Sequence, residues 1–363
     1  MPRPLTWLLL PFSWLYALVL AGRNWLYDGG FYSSKVGFVP LVNVGNLRVG
    51  GTGKTPHVAW LVAELLRQGQ RPAILSRGYG RRTRGPRLTT AADSAATVGD
   101  EPWQYYEEFS AQNVPVVVAE KRQRGLALLQ ARCPETTVVV LDDAYQHRAV
   151  RPDLNVLLTE LARPFYLDFV LPAGRLREGR AGARRADIVI ITKCSPDLPV
   201  AAQRAIAAHV RRFTRSAEVP VLFSAYDYAA PTAITAVAQL APLPANCPVL
   251  PGATALMISG IVQPGPLRQH LEKQGYSITY QARFSDHHAF SAADLARVRQ
   301  HWQAGQPIFT TEKDATRLQR PELSAALVGL PVYTIPVRVA FLGAGAAGLR
   351  RQLAVLFPVA SLR

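Results

Sequence analysis

The chain has 363 residues, of which 49% are hydrophobic and 18% charged. That is apolar material for about two domain cores at ~150 residues each, and it excludes a wholly disordered chain. Pro and Gly are frequent but follow no triplet period, which excludes a collagen-like chain. Lys and Arg number 41 against 25 Asp and Glu, a formal net charge of +16. A balance this basic asks for an anionic partner: nucleic acid, a phosphorylated metabolite or an acidic lipid surface. Cys133, Cys194 and Cys247 lie far apart without a C-x-x-C pair, so neither a zinc ribbon nor a disulfide framework is expected, and a reducing cytoplasmic environment fits.

Residues 4–22, PLTWLLLPFSWLYALVLAG, carry no charge. At 1.5 Å per residue such a helix covers about 28 Å, barely the hydrocarbon thickness of a bilayer. Trp7, Trp14, Tyr16, Trp25 and Tyr27 are the amphipathic aromatics that favour a membrane interface, and Pro11 would kink the helix. Three readings compete: a signal peptide, a buried core helix, and an anchor that spans the membrane or lies in its interface. No small-x-small cleavage site supports the first, and the nucleotide motif downstream belongs in the cytoplasm. The anchor is the reading taken, over residues 1–28.

Residues 37–44 read as a short buried strand, followed by GNLRVGGTGKTP and then by HVAWLVAELLRQGQ with apolar residues at helical spacing. Strand, glycine loop and helix in this order form a phosphate loop. Gly50, Gly51, Thr52 and Gly53 let backbone N–H groups wrap phosphate oxygens; Lys54 reaches the β- and γ-phosphates; Thr55 holds Mg²⁺. Pro56 suits the first helical turn. Arg48 stands where the strict pattern has Gly, so the loop is a variant. The run TTVVVLDD (136–143) ends a hydrophobic strand in Asp142 and Asp143, of which one is expected to contact Mg²⁺ directly or through water. Strand-like runs at 71–78, 113–120, 154–160, 186–193 and 218–228 alternate with helical ones such as 199–213, which argues for a parallel sheet covered on both faces.

The stretch 229–254 is rich in Ala and Pro and reads as a linker or crossover strand. A second α/β unit follows: strand 255–261, helix 264–275, strand 276–284, helix 291–302 with Ser291 as N-cap, strand then helix over 306–318, one strand over 331–341, and a last helix to about 357. The fold class expected is therefore α/β: a P-loop NTPase-like, mostly parallel sheet (29–228), a linker (229–254), a second and smaller α/β domain (255–335), a C-terminal strand and helix (336–363) returning toward the first, and an N-terminal membrane-associated helix.

A series of motifs in order makes the reading specific: VGNLRVGGTGKTP (44–56), LSRGYGR (75–81), VGDEP (98–102), DDAYQHRAVRPDL (142–154), LPAGRLRE (171–178), ADIVIITK (186–193), SGI (259–261), FSDHHAF (284–290) and TTEKDATRL (310–318). With them the chain resembles the tetraacyldisaccharide 4′-kinases, the lipid A 4′-kinases, from about residue 35 to 320. It departs at Ala144-Tyr145, where Gly-Phe is usual, and at Arg175, where Pro is common. The resemblance implies transfer of the ATP γ-phosphate to the 4′-hydroxyl of a tetraacyl glucosamine disaccharide 1-phosphate, giving lipid IVA, with ATP and Mg²⁺ as cofactors. It also implies docking on the anionic inner-membrane surface from the cytoplasmic side. It points to Asp100 as the carboxylate that takes the hydroxyl proton, paired with a His from the second domain. Of His287 and His288, His287 is preferred because it follows Asp286 directly; consecutive residues cannot both face one site on extended backbone. The site is then expected in a cleft between domains, Asp100 from one and His287 from the other.

Arg77, Arg122, Arg148 and Arg177 are suited to phosphate oxygens, since guanidinium binds them as a fork. Gln146, His147 and Glu178 are expected to contact the acceptor or to support the groups that do. Lys313 and Asp314 read either as a helix-capping pair or as a closure element over nucleotide. A monomer is expected, with no nucleic-acid partner: no helix-turn-helix, RNP or zinc pattern occurs. The competing function is another P-loop small-molecule kinase or NTPase that needs no lipid.

Overall fold

The computed structural model describes residues 4–240, 243 and 252–357. The elements run α1 (Pro4–Asp28), β1 (Leu41–Asn46), α2 (Lys54–Arg67), β2 (Pro72–Ser76), β3 (Arg87–Leu88), α3 (Ala95–Val98), α4 (Asp100–Phe109), β4 (Val116–Val118), α5 (Arg122–Arg132), β5 (Val138–Asp142), β6 (Leu154–Glu160), β7 (Ile188–Thr192), α6 (Val200–Arg211) and β8 (Val221–Tyr228). They continue with β9 (Thr232–Ala233), α7 (Ala236–Leu240), β10 (Thr254–Ser259), α8 (Gly265–Lys273), β11 (Ser277–Arg283), α9 (Ala292–His301), β12 (Ile308–Thr311), α10 (Glu312–Leu318), α11 (Ser324–Leu327), β13 (Val332–Ile335), β14 (Val337–Phe341) and α12 (Gly345–Leu356).

The chain divides into two compact units, one of residues 1–93, 105–226 and 339–363, the other of residues 94–104 and 227–338. Among the described residues the first holds a nine-stranded sheet in the order β14-β8-β7-β6-β1-β5-β2-β4-β3. The register of β1 against β5 and β6, of β2 against β4 and β5, and of β7 against β6 and β8 is parallel; the short edge strand β3 is antiparallel to β4. The strands β1, β2, β5, β6 and β7 are buried along their whole length, which is why they read as unbroken Val, Ile and Leu runs rather than as alternations. One sheet face packs on Val58, Leu61, Val62 and Leu65 of α2, the other on α5 and the 144–150 segment. The order changes direction around β1, and in such sheets ligands bind beyond the C-terminal strand ends at that point. Both the loop after β1 and Asp142–Asp143 at the end of β5 lie there.

The second unit has its own sheet, β11-β10-β12-β13-β9, parallel except for β9, around Leu256, Ile258, Leu295, Ile308 and Val332. Two sequence expectations change here. The stretch 229–254 is not a plain linker: residues 232–233 pair with β13 and 236–240 form a helix, while 241, 242 and 244–251 lie outside the described residues. The run 331–341 is two strands in two sheets. Pro336 has no N–H for a ladder, and its carbonyl accepts from Ala229 N at 2.9 Å, so β13 ends before it and β14 begins after it.

The helix α1 is not a core helix. Trp7, Leu8, Phe12, Trp14, Leu15, Leu18 and Val19 are each more than 60% exposed. Its other side is tied to the first unit. Ser13 Oγ accepts from Ala173 N at 2.9 Å, Arg23 donates to Gln146 O at 2.8 Å, and Asn24 donates to Glu178 Oε2 at 3.2 Å. Arg148 donates to Asn24 O and pairs with Asp28 at 2.6 Å. Among the described residues no helix is long and apolar enough to cross a membrane, so of the two anchor geometries the spanning one is not supported. Residues 1–3 of the expected anchor, and 358–363 of the expected C-terminal segment, lie outside the described residues.

Candidate active site

The glycine turn leads straight into α2, which begins at Lys54, three residues before the helical spacing becomes visible in sequence. Gly50 and Gly53 have φ of 116° and 87°, the left-handed region where a Cβ is penalised, and this is what requires glycine at both. A Cβ on Gly53 would also lie 2.8 Å from the Tyr226 hydroxyl. No side chain caps α2, so its first N–H groups are left for a ligand, with the positive end of the helix behind them.

The variant residue Arg48 is buried and has a structural partner set. It pairs with Glu160 at 3.4 Å and Asp168 at 3.1 Å. Glu160 also takes Lys193 at 3.3 Å. Backbone bonds from Val49 N to Arg175 O and from Arg177 N to Leu47 O lay the LPAGRLRE segment along the loop's entrance. The loop's first half is thus fixed by charge pairs and a short bridge where a strict phosphate loop relies on glycine.

Asp143 lies after β5 in a left-handed conformation, φ 50°. Its carboxylate accepts twice from Arg177 Nη1, at 3.0 and 2.9 Å, and lies 3.6 Å from Lys54 Nζ. Burial opposes its ionisation, but Lys54 and Arg177 outweigh that and hold its pKa below the usual carboxylate range. Asp142 is buried and accepts from Ser76 Oγ at 2.9 Å. Thr55, Asp142 and Asp143 offer hard oxygen donors beside a phosphate loop, the chemistry Mg²⁺ takes. Among the described residues no group of three or more His, Cys, Asp or Glu forms a cage. A Mg²⁺ carried by a triphosphate needs only one or two protein oxygens, so the residues fit it.

The remaining first-unit candidates divide by their contacts. Arg122 is buried and donates to Ala119 O at 2.7 Å and to Asp142 O at 3.0 Å; burial lowers its pKa to about 10. His147 accepts from Arg122 N at 3.3 Å, and burial with the charges of Arg122 and Arg77 lowers it to about 4, so it is neutral at pH 7. Gln146 donates to Asn46 O at 2.8 Å and to Glu178 Oε1 at 2.9 Å. Glu178, itself buried, also takes Arg185 at 2.7 Å. Arg148 is committed to α1. Arg77, exposed at the end of β2, forms no hydrogen bond or ion pair among the described residues. Tyr145 keeps an aromatic ring where Phe is usual, is buried, and its hydroxyl donates to Gly182 O at 3.0 Å.

In the second unit Asp100 opens α4. His287 Nδ1 donates to its Oδ2 at 3.0 Å, and Arg317 reaches the same oxygen through Nε at 2.8 Å and Nη2 at 2.8 Å. Burial raises the pKa of Asp100, but His287 and Arg317 lower it by more, so the carboxylate is ionised at neutral pH. His287 Nε2 faces Lys313 Nζ at 3.1 Å, which assigns the proton to Nδ1. Lys313 also pairs with Glu101 and Asp286, each at 3.4 Å. His288 turns away: it stacks on Phe284 at 4.5 Å and bonds Asp294 at 3.0 Å.

The expectation that Asp100 and His287 come from different domains is corrected: residues 94–104 belong with the unit that carries His287, held there by the Asp100–Arg317 and Glu101–Lys313 pairs. Lys313 is no cap either; Thr311 caps α10 by accepting from Asp314 N. Arg317 was not among the sequence candidates. Its signals are its place inside TTEKDATRL and the i,i+3 spacing from buried Asp314, which it meets at 3.1 Å.

A mostly parallel sheet with a glycine-lysine turn at its switch point, and a carboxylate held by His and Arg, define a P-loop phosphotransferase. The sequence model of the tetraacyldisaccharide-1-P 4′-kinases matches residues 5–356. The tetraacyldisaccharide 4′-kinase of Cytophaga hutchinsonii is 39% identical over 335 residues, 92% of this chain and 90% of that one. Its counterpart in Bacteroides thetaiotaomicron is 39% identical over 348 residues, 92% of this chain and 88% of that one. The crystal structure of LpxK from Aquifex aeolicus in complex with ATP superposes with a TM-score of 0.73 at 29% identity, over 97% of this chain and 99% of that one. The chain belongs to the tetraacyldisaccharide 4′-kinase family.

Proposed function

We propose that this kinase divides its work between two charge systems. The reaction is ATP-dependent phosphoryl transfer to the 4′-hydroxyl of the tetraacyl disaccharide 1-phosphate, which gives lipid IVA. Phosphoryl transfer asks for positioning and charge neutralisation more than for covalent help. Gly50, Gly51, Thr52 and Gly53 supply N–H groups to the triphosphate, and Lys54 meets its β- and γ-oxygens. Thr55 with Asp142 or Asp143 holds Mg²⁺, which when bound neutralises phosphate charge. Arg77 and Arg177 are suited to the transferred group or the substrate's phosphate. Arg122, Gln146, His147 and Glu178 hold the site's backbone in place.

Asp100 accepts the hydrogen of the 4′-hydroxyl and His287 orients it. The depressed pKa of Asp100 makes it a weak base but a constantly charged acceptor. That suits a loose transition state, in which the attacking oxygen keeps its proton late. The observation that carries this reading is the convergence of His287 and Arg317 on one Asp100 oxygen.

The enzyme docks on the cytoplasmic face of the inner membrane. The exposed Trp and Leu of α1 enter the interface, and the +16 charge meets anionic lipid. The test is radiolabelled ATP with the tetraacyl disaccharide 1-phosphate in mixed micelles. Label is expected in the lipid with wild type and not with Lys54→Ala. Transfer to a water-soluble acceptor with none to the lipid would favour the soluble small-molecule kinase instead.

A further inference from the structure

Three bonds at the phosphate loop come from side chains outside every motif role assigned above. Thr192 Oγ1, at the end of β7, donates to Thr52 O at 2.9 Å. His57 Nδ1, in the first turns of α2, lies 2.7 Å from Gly53 O. A carbonyl can only accept, so Nδ1 carries the proton. His57 Nε2 is then an acceptor, and Ser224 Oγ on β8 donates to it at 2.9 Å. All three side chains are nearly or wholly inaccessible: His57 is 4% exposed, Thr192 0% and Ser224 0%.

The ordinary helix bonds at these carbonyls are absent or weak. Pro56 has no N–H to offer Thr52 O four residues back. His57 N reaches Gly53 O only at 3.4 Å. A trans peptide is planar, with its C=O and N–H on opposite sides. Fixing Thr52 O on Thr192 therefore aims the N–H of Gly53 the other way. Fixing Gly53 O on His57 does the same for the N–H of Lys54. These two N–H groups open α2, and no side chain caps them.

We infer that Thr192 and the His57–Ser224 pair are positioning residues that hold two phosphate-loop carbonyls against the core, so that the N–H groups of Gly53 and Lys54 face the nucleotide phosphates. The inference rests on reading residues 50–55 as the nucleotide site. It adds a chemical division within α2: Lys54 supplies charge, and His57 sets backbone direction.

The experiment compares Thr192→Val, His57→Gln and His57→Asn with wild type and Lys54→Ala. It measures kcat and KM for ATP at saturating lipid acceptor, the KM for the acceptor, and the rise in Tm on adding ATP. The amide nitrogen of Asn overlies the imidazole Nδ1, whereas that of Gln overlies Nε2, so Asn alone restores the bond to Gly53 O. Thr192→Val and His57→Gln are expected to lower kcat/KM for ATP about 5- to 10-fold, the loss that one ordinary hydrogen bond gives, and to shrink the ATP-induced rise in Tm. The acceptor KM stays within about twofold of wild type, and His57→Asn recovers most of the loss. A packing role alone would lower Tm but leave the KM for ATP unmoved. The inference is overturned if Thr192→Val and His57→Gln keep wild-type kcat/KM for ATP, or if Asn and Gln at 57 are equally impaired. If instead Lys54→Ala retains ATP-dependent transfer, the nucleotide-site reading itself has failed.

Discussion

Arg317 offers the sharpest test of how the acceptor's carboxylate is tuned. The guanidinium is 1% exposed at its side chain and Asp100 13%, so the pair is little screened by water. Two contacts of 2.8 Å join them. At an effective dielectric near 20 and about 4 Å between charge centres the attraction is about 4 kcal/mol, and the net worth of a charged hydrogen bond is about 1.5–3 kcal/mol. At 1.36 kcal/mol per unit, neutralising residue 317 raises the pKa of Asp100 by about 1–2 units. The sign follows: the folded pKa is depressed and, in the role proposed for Asp100, the charged form is the active one, so activity falls as pH drops through it, and a higher pKa moves that limb upward. Arg317→Gln is expected to shift the acid limb of the kcat profile up by about 1–2 units and to recover activity toward high pH. Arg317→Lys keeps the charge but not the fork, so its limb stays near wild type while its plateau falls. Both variants leave Asp314 buried with Gly260 N and Thr311 Oγ1 as partners, and burial already raises its pKa. Kinetics at a series of pH values, with melting curves as a control on folding, decide the matter. If folded Arg317→Gln has an acid limb superimposable on wild type, the charge argument for Asp100 is wrong.

Two further outcomes follow from the same contacts. Ser291 caps α9, accepting from Asp294 N at 3.2 Å while Asp294 Oδ2 accepts from Ser291 N at 3.0 Å. Ser291→Ala should therefore cost about 1 kcal/mol, read as a lower denaturant midpoint with unchanged slope. Replacing Leu8, Leu15 and Leu18 together by Asp should release the protein from anionic vesicles in a flotation assay, while melting temperature holds, because all three side chains are already in water. Continued flotation would assign docking to another surface.

Most of the first unit was readable because buried parallel strands write themselves as apolar runs, and each strand-like run named above between residues 41 and 192 contains a strand. The glycine turn was readable because φ above zero at 50 and 53 leaves little choice of residue. What escaped was set by partners distant in sequence. The second domain was expected to end at 335, yet the run 331–341 still reads as one strand, and only the different neighbours of Thr334 and Val339 split it between two sheets. Arg317 looks like any arginine in the last turn of a short helix until α4 brings Asp100 to it. The placement of 94–104 in the second unit was hidden for the same reason: VGDEP carries no local signal of which core it joins. The exposed apolar side of α1 was legible as composition, but its orientation rests on Ser13, Arg23 and Asn24, three polar residues that a hydropathy reading passes over.

The arginines show why counting cations overstates a phosphate site. Arg122 bonds two carbonyls, Arg148 holds α1, Arg48 serves Glu160 and Asp168, and Arg185 serves Glu178; each is paired, mostly buried, and spent on the scaffold. Arg77 is exposed at the end of β2, and Lys54 and Arg177 share a single carboxylate, Asp143. A phosphate carries more negative charge than that carboxylate and has more oxygens to accept from a fork, so it competes with Asp143 for both cations on favourable terms. Asp143, if relieved of them, would be one of the carboxylates that could meet a Mg²⁺ carried by the nucleotide, where the ion would neutralise phosphate charge. In the structure as it stands, Asp143 holds two positive side chains at one spot without the repulsion that would otherwise part them.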